Sequence, residues 1–381
     1  MTRACFTPSY LHMRRPCLTT RLVRRATLLA VPTLVACEAS SSPIAIGAAG
    51  PWKEAYGLMN RRGIELAVEE INRKGGVRGR PLRVVMEDDG GQGVRAAEIA
   101  GQFVLDKDVV AVVGHVNSGA MVAAAGVYHG NLPAIATTAS SPALTGISPW
   151  VFRVISSDSV NGISLARFAG TLGRRRAAVL YENNPYGRGL ADSFRRAFTG
   201  EVIGVDPIPE GSFDPEPFIS WYARERADIV FVAGTDASGL AVLREARRQG
   251  FGPAFLGGDG WTGIVSDTVA SEGVYVGAPF SDRDPRPDAQ AFVRAFRAKY
   301  RETPDGNAAL AYDATWLVAR GIAEVGPSRS RLRDWLASLD ERTAYRGVTG
   351  SIRFQATGDP VGKEFVMTRV EGGALDVADT Q

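Results

Sequence analysis

Cysteine is nearly missing from this chain. Its 381 residues include three, Cys5, Cys17 and Cys37, all near the start, so nothing beyond Cys37 can form a disulfide or a thiolate metal site. Histidine is equally scarce, at His12, His115 and His129. Neither of the last two lies in an H-E-x-x-H or G-x-S-x-G context, and catalysis finds little support. Past residue 36 there is no apolar run long enough to cross a bilayer and no low-complexity segment. A dominant charge is lacking too. The formal net charge is +3, and residues 1–36 hold six arginines and no acid, so the remainder is near −3. That removes any case for nucleic acid.

The first segment is set aside before any fold reasoning. Arg14, Arg15, Arg21, Arg24 and Arg25 precede the apolar run Ala26 to Ala36, the pattern of a secretory signal too short to span a membrane. Leu34-Val35-Ala36-Cys37 resembles the lipobox of bacterial lipoproteins, which implies lipidation of Cys37. The alternative is a chance match inside a plain signal peptide. Ser40 to Ser42 reads as a short tether. Met13 would also serve as a start.

Gly114 to Pro142 is the most informative stretch. Val109 to Val113 is a short β-branched run, as expected of a strand buried on both faces, and it stops at Gly114. Ser118 is a good N-cap for the alanine-rich helix that follows. A second apolar run, Leu132 to Ala136, ends in Thr137-Thr138-Ala139-Ser140-Ser141-Pro142. Two parallel strands thus release their C-terminal ends into loops of small hydroxyl residues, the place where open α/β sheets bind ligands. Taken singly, Ser118 is a cap and the second loop a polar turn. Together they favour an anion site at a helix N-terminus.

Strand and helix signals alternate on both sides of this stretch. Strands are expected at Ile44 to Ala48, Leu82 to Met86, Val151 to Ile155, Ala177 to Tyr181, Val202 to Val205, Ile229 to Ala233, Ala254 to Leu256 and Val274 to Val276. From Asp288 three helices follow, to about Leu339, and short strand signals close the chain near Gly350 to Phe354 and Glu364 to Val370. The βαβα order specifies parallel sheets covered by helices on both faces.

GPWKEAYG (Gly50 to Gly57), INRKGGVRGRPL (Ile71 to Leu82), EDD (Glu87 to Asp89), GHVNSG (Gly114 to Gly119), PAIATTASSPALT (Pro133 to Thr145), YENNPYGRGLA (Tyr181 to Ala191) and LGGDGW (Leu256 to Trp261) carry a resemblance. The chain is similar to the leucine/isoleucine/valine-binding branch of the type I periplasmic binding proteins, from about Ile44 to Val370. The resemblance implies an α/β fold of two Rossmann-like lobes joined by a three-crossing hinge. The expected division is 1–36 signal peptide, 37–43 anchor and tether, 44–155 with 283–345 first lobe, and 156–282 with 346–381 second lobe.

It further implies a lipid-anchored, monomeric receptor of the cell envelope that hands a small amino acid, branched-chain or a related zwitterion, to an ABC permease, with no cofactor. Position by position, Ser118, Thr138 and Ser140 match carboxylate-binding positions. Tyr186 matches the aromatic lid and Asp259 the acid that takes the ammonium, while Trp52 and Tyr56 lie in the loop lining the side-chain pocket. Two departures stand out. A disulfide of the best-known members falls here on Gly91 and Asn117, and a second-lobe aromatic that helps hold the ammonium appears as Thr235.

Other readings remain open. The segment Gly258 to Gly263 is formally G-x-G-x-x-G, but no acid ends the next strand and Asp259 would repel a pyrophosphate, so a dinucleotide site is rejected. His115 either touches the ligand or is hydrogen-bonded within its loop, and His129 ends a helix. Tyr222, Tyr300 and Tyr312 are left to packing. A sensory receptor of the same fold, signalling to a membrane partner, is the alternative function, and neighbouring permease or sensor genes would separate the two.

Overall fold

The computed structural model describes residues 42–209 and 213–378. The expected signal segment, Cys37 and most of the tether lie outside these. Among the described residues, no helix is long and apolar enough to cross a membrane.

The first sheet is laid down by β1 (Ile44–Gly50), α1 (Ala55–Arg73), β2 (Leu82–Asp88), α2 (Gly93–Leu105), β3 (Val109–Gly114), α3 (Ser118–Tyr128), β4 (Ala134–Ala136) and β5 (Val151–Arg153). Its strands are parallel in the order β2-β1-β3-β4-β5. Every residue of β1 and β3 is buried, which is why these stretches read as continuous apolar runs rather than alternating ones.

The second sheet follows with α4 (Asp158–Thr171), β6 (Arg176–Glu182), α5 (Pro185–Ala197), β7 (Glu201–Ile208), α6 (Glu216–Arg224), β8 (Ile229–Ala233), α7 (Asp236–Gln249), β9 (Ala254–Gly257), α8 (Thr268–Ser271) and β10 (Tyr275–Ala278). The chain then returns to the first lobe with α9 (Pro287–Tyr300), α10 (Gly306–Val325), α11 (Arg329–Ala337) and the hairpin β11 (Tyr345–Gly347) and β12 (Gly350–Ile352), and finishes as β13 (Val366–Glu371) and β14 (Ala374–Val377). The second sheet runs β14-β13-β10-β9-β8-β6-β7, with β13 and β14 antiparallel.

Each sheet reverses its direction of winding once, between β1 and β3 in the first and between β6 and β8 in the second. Ligands of open α/β sheets bind in the crevice at such a switch point. The two crevices face one cavity.

The last crossing differs from the expected division at 346. Val348 and Thr349 donate their backbone N–H groups to Asp313 of α10 at 2.8 Å, which keeps the hairpin on the first lobe. Residues 354–359 continue beside β5, where Arg153 N–H donates to Gly358 O. Entry into the second sheet therefore comes between Asp359 and Val366.

Arg153, at the end of β5, is 2 % exposed and makes four side-chain hydrogen bonds together with an ion pair to Asp359. Nε and Nη2 reach Asp359 at 2.7 and 2.6 Å, Nη1 reaches the carbonyls of Ser140 and Ser141 at 2.8 Å each, and Nη2 also reaches Thr145 Oγ1 at 2.8 Å. One side chain thus joins the first crossing, the last crossing and the loop after β4. Arg153→Leu strands the Asp359 carboxylate in a largely dry site and should cost about 3–5 kcal/mol, read as a lowered denaturant midpoint. An unchanged midpoint would show that the clamp is not a structural one.

Candidate functional site

A cavity of about 120 Å³ lies between the lobes, lined from the first by Tyr56, Gly91, Val116, Asn117, Ser118, Gly119, Thr138 and Asn307 and from the second by Glu182, Asn184, Tyr186, Thr235, Asp259 and Gly260. One water needs about 10–15 Å³ of such space, so the room suits a small molecule and not a polymer.

On the first lobe Ser118 is the pivot. It was expected as an N-cap, but Asn117 takes that position, without a side-chain cap bond, and Ser118 is the first helical residue of α3. Its Oγ instead accepts from the backbone N–H groups of Ser140 at 3.2 Å and Ser141 at 3.1 Å. With both lone pairs occupied, the hydroxyl has only its hydrogen left to offer. That hydrogen and the N–H groups of the first turn of α3 are donors that could receive a carboxylate without a fixed cation.

Two neighbouring expectations change. Ser140 is fully buried and off the cavity; its hydroxyl donates to Asp158 Oδ2 at 3.0 Å, and it acts on the site through its backbone. Thr138 does line the cavity, but its hydroxyl donates to Val116 O at 3.1 Å, so it offers the cavity an acceptor, suited to an ammonium more than to a carboxylate.

The loop after β1 divides. Tyr56 reaches the cavity and its hydroxyl accepts from Asn117 Nδ2 at 3.0 Å; burial pushes its pKa up to about 12. Trp52 does not reach it. Its ring packs in the core against Gly50, close to Val116, and supports the cavity wall from behind.

The positions of the family disulfide are adjacent here, since a Cβ on Gly91 would stand 3.3 Å from Asn117 Oδ1. A hydrogen bond joins the same two loops. His115 Nδ1 donates to Asp89 Oδ2 at 2.6 Å, and its Nε2 lies 2.9 Å from the Tyr128 hydroxyl. His115 is fully buried and off the cavity lining, which makes it a loop residue.

On the second lobe Tyr186 and Asp259 meet. The Tyr186 hydroxyl donates to Asp259 Oδ1 at 3.0 Å and accepts from Gly260 N–H at 3.1 Å. Asp259 follows β9, in a short helical turn that ends the strand. Burial raises its pKa to about 6. Asp158, at the start of α4, is pushed well up as well, first by burial and then by the charge of Asp259.

Sequence reasoning missed Glu182, the last residue of β6, which stands in the cavity beside Thr235. Its Oε1 accepts from Thr235 N at 2.8 Å, Thr235 Oγ1 at 2.6 Å and Ser238 Oγ at 2.9 Å. The signal was available, because an acid at the end of a strand next to a switch point meets the same test that drew attention to Ser118. Asn184 and Asn307, also in the lining, carried no comparable signal.

Three comparisons bear on the chain. The family model described as periplasmic binding protein matches residues 43–374. The leucine-, isoleucine-, valine-, threonine- and alanine-binding protein of Pseudomonas aeruginosa is 29% identical over 357 residues, 90% of this chain and 93% of that one. Among solved structures, the branched-chain amino acid transporter substrate binding protein LivJ of Streptococcus pneumoniae, in complex with isoleucine, superposes with a TM-score of 0.81 at 29% identity, covering 88% of this chain and 99% of that one. An ABC transporter substrate-binding protein of Desulfitobacterium hafniense in complex with Leu gives 0.78 at 30% identity, covering 89% and 100%.

The raised pKa of Asp259 sets a stability prediction. Between the ordinary value of 3.8 and about 6, the folded state holds a proton that the unfolded state has lost. Its unfavourable contribution therefore grows as pH rises through that window and is complete above 6, at about 3 kcal/mol. Without ligand, Asp259→Asn should melt higher than the parent at pH 7 and depend less on pH between 5 and 7. Burial also raises Asp158 and, to about 7, Asp236, so part of the slope should survive. A lower melting temperature for Asp259→Asn at pH 7 would mean that the buried carboxylate is already neutralised. With the family model covering nearly all of the described residues, this chain belongs to the periplasmic binding protein family, and its work is binding rather than catalysis.

Proposed function

We propose that the protein is the extracytoplasmic substrate-binding receptor of an ABC importer and that its ligand is a small amino acid held between the closing lobes. One observation carries this reading: a cavity whose first-lobe wall offers hydrogen-bond donors without a cation and whose second-lobe wall offers a carboxylate. A zwitterion fits both ends at once. Ser118 and the α3 N-terminus take the carboxylate; Asp259, with the Thr138 oxygen, takes the ammonium. The relatives described as binding leucine, isoleucine and valine support the amino-acid class. Anchoring through a lipid on Cys37, working as a monomer and delivery to a membrane permease complete the proposal.

Closure follows from where the contacts lie. A ligand shifts an open–closed equilibrium only by its preference for the closed state, and that preference comes from the second-lobe groups reaching a ligand already seated on the first. Calorimetry with a panel of amino acids tests this. Wild type should bind at least one of them, and Asp259→Ala should lose about 2–5 kcal/mol, moving a micromolar ligand to roughly millimolar or weaker. Undiminished affinity in the variant would remove Asp259 from the site.

Small residues let the lobes meet. A Cβ on Gly189 of α5 would stand 2.5 Å from the Pro142 ring, and one on Gly119 of α3 would touch the Pro185 ring at 3.6 Å. Gly189→Leu should wedge the jaw, leaving the ligand-free melting temperature nearly unchanged while weakening binding by about tenfold or more. Normal affinity in that variant would show that α5 and the Pro142 turn need not meet for the ligand to be held.

A further inference from the structure

The cavity holds more negative charge than a simple zwitterion can answer. Its lining includes two carboxylates, Glu182 and Asp259, and no lysine, arginine or histidine. An amino acid with an aliphatic side chain brings one ammonium, for Asp259, and one carboxylate, for the α3 N-terminus. Glu182 is then enclosed without a counter-charge, which is costly in a site that closes over its ligand.

Glu182 is also placed and held as a recognition group. It ends β6 and Thr235 follows β8, so the pair straddles the switch point of the second sheet. Three donors fix Oε1, whereas among the described residues Oε2 receives only Asn184 Nδ2, at 3.0 Å, and keeps room for another donor. Thr235, standing where the resemblance leads one to expect an aromatic, supplies two of the three fixing bonds.

From the first lobe Asn117 also lines the cavity, and among the described residues its buried side-chain oxygen, on the side of Gly91, has no hydrogen-bond partner. Val116 is the single aliphatic side chain larger than methyl in the lining. Along the sheet, β6 and β9 are separated by β8 alone. Two strand spacings put the ends that carry Glu182 and Asp259 about 10 Å apart, a gap that one ligand with two cationic nitrogens on a short alkyl chain can bridge.

The geometry points to an amino acid with a basic side chain as the ligand: its α-carboxylate on Ser118, its α-ammonium on Asp259, and its side-chain cation on the free side of Glu182 Oε2. This rests on the receptor reading above and narrows it. Glu182 is the residue that selects the side chain.

Calorimetry on the full chain with lysine, arginine, ornithine, glutamine and leucine, in wild type and in Glu182→Gln, tests it. The amide keeps an oxygen for Thr235 and Ser238 and removes the charge, so the fold should stand, checked by melting temperature. At least one basic amino acid should bind wild type about tenfold or more tighter than glutamine or leucine, and Glu182→Gln should erase most of that advantage. Glutamine or leucine binding wild type as tightly as every basic amino acid would overturn the assignment while leaving the receptor reading in place. So would a preference for basic ligands that survives Glu182→Gln. Failure of wild type to bind any of the five, or branched-chain valine and isoleucine, would overturn both readings.

Discussion

A carboxylate taken out of water needs a counter-charge, and in this cavity the protein supplies none. Asp259 and Glu182 stand in the lining with hydrogen-bond donors around them but no cation among its side chains. Burial holds the Asp259 pKa above the ordinary carboxylate value, as expected for an acid in a site poor in solvent and without a cation beside it. The missing charge is to come from the ligand. Under the proposed function recognition and closure become one event, because an ammonium that relieves Asp259 would also make the closed state the better one for the complex.

One buried cation lies behind this chemistry and is used elsewhere. Arg153 sits behind the first-lobe wall, and its guanidinium grips the Ser140 and Ser141 carbonyls while their N–H groups point at Ser118 Oγ. Positive charge therefore shapes the proposed anion site without lining it. A receptor must release what it binds. Neutral donors at a helix end hold a carboxylate with less commitment than a buried ion pair, whose rupture leaves an uncompensated charge on each side. Keeping Arg153 one layer back gives the loop rigidity and leaves the ligand's carboxylate exchangeable.

The fold was largely legible because its signals are local. Fully apolar β1 and β3, glycines at the helix ends and the βαβα order each follow from burial and backbone geometry that neighbouring residues report. Side-chain direction is another matter. Thr138 and Ser140 are two residues apart on one loop, both small and hydroxylated, yet one faces the cavity and the other Asp158. Trp52 and Tyr56 share a loop and part company in the same way. These choices are made by partners distant in sequence, such as Asp158 for Ser140 and Asn117 for Tyr56, and composition or spacing does not carry them. The crossing near Asp359 was misplaced for a related reason, since Asp313 and Arg153 decide it and both lie far away along the chain.

Ligand choice is thereby separable from the fold. The strands that pack the two cores hold the switch points open whatever stands at their ends, and relatives at 29–30% identity keep that frame over nearly the whole chain. Gly91, Asn117, Glu182 and Thr235 sit at strand ends or in the loops beyond them, so exchanging them leaves the core sequence untouched. Replacing a disulfide by a glycine and an asparagine costs the first lobe a covalent link, but the Asp89–His115 hydrogen bond joins the same loops one layer deeper. That frees the Asn117 side chain to face the cavity. Placing a threonine at 235 likewise gives up an aromatic surface and fixes a carboxylate instead. Both departures change the site in one direction, from apolar cover toward acceptors for hydrogen-bond donors, and they do so where the two lobes come together.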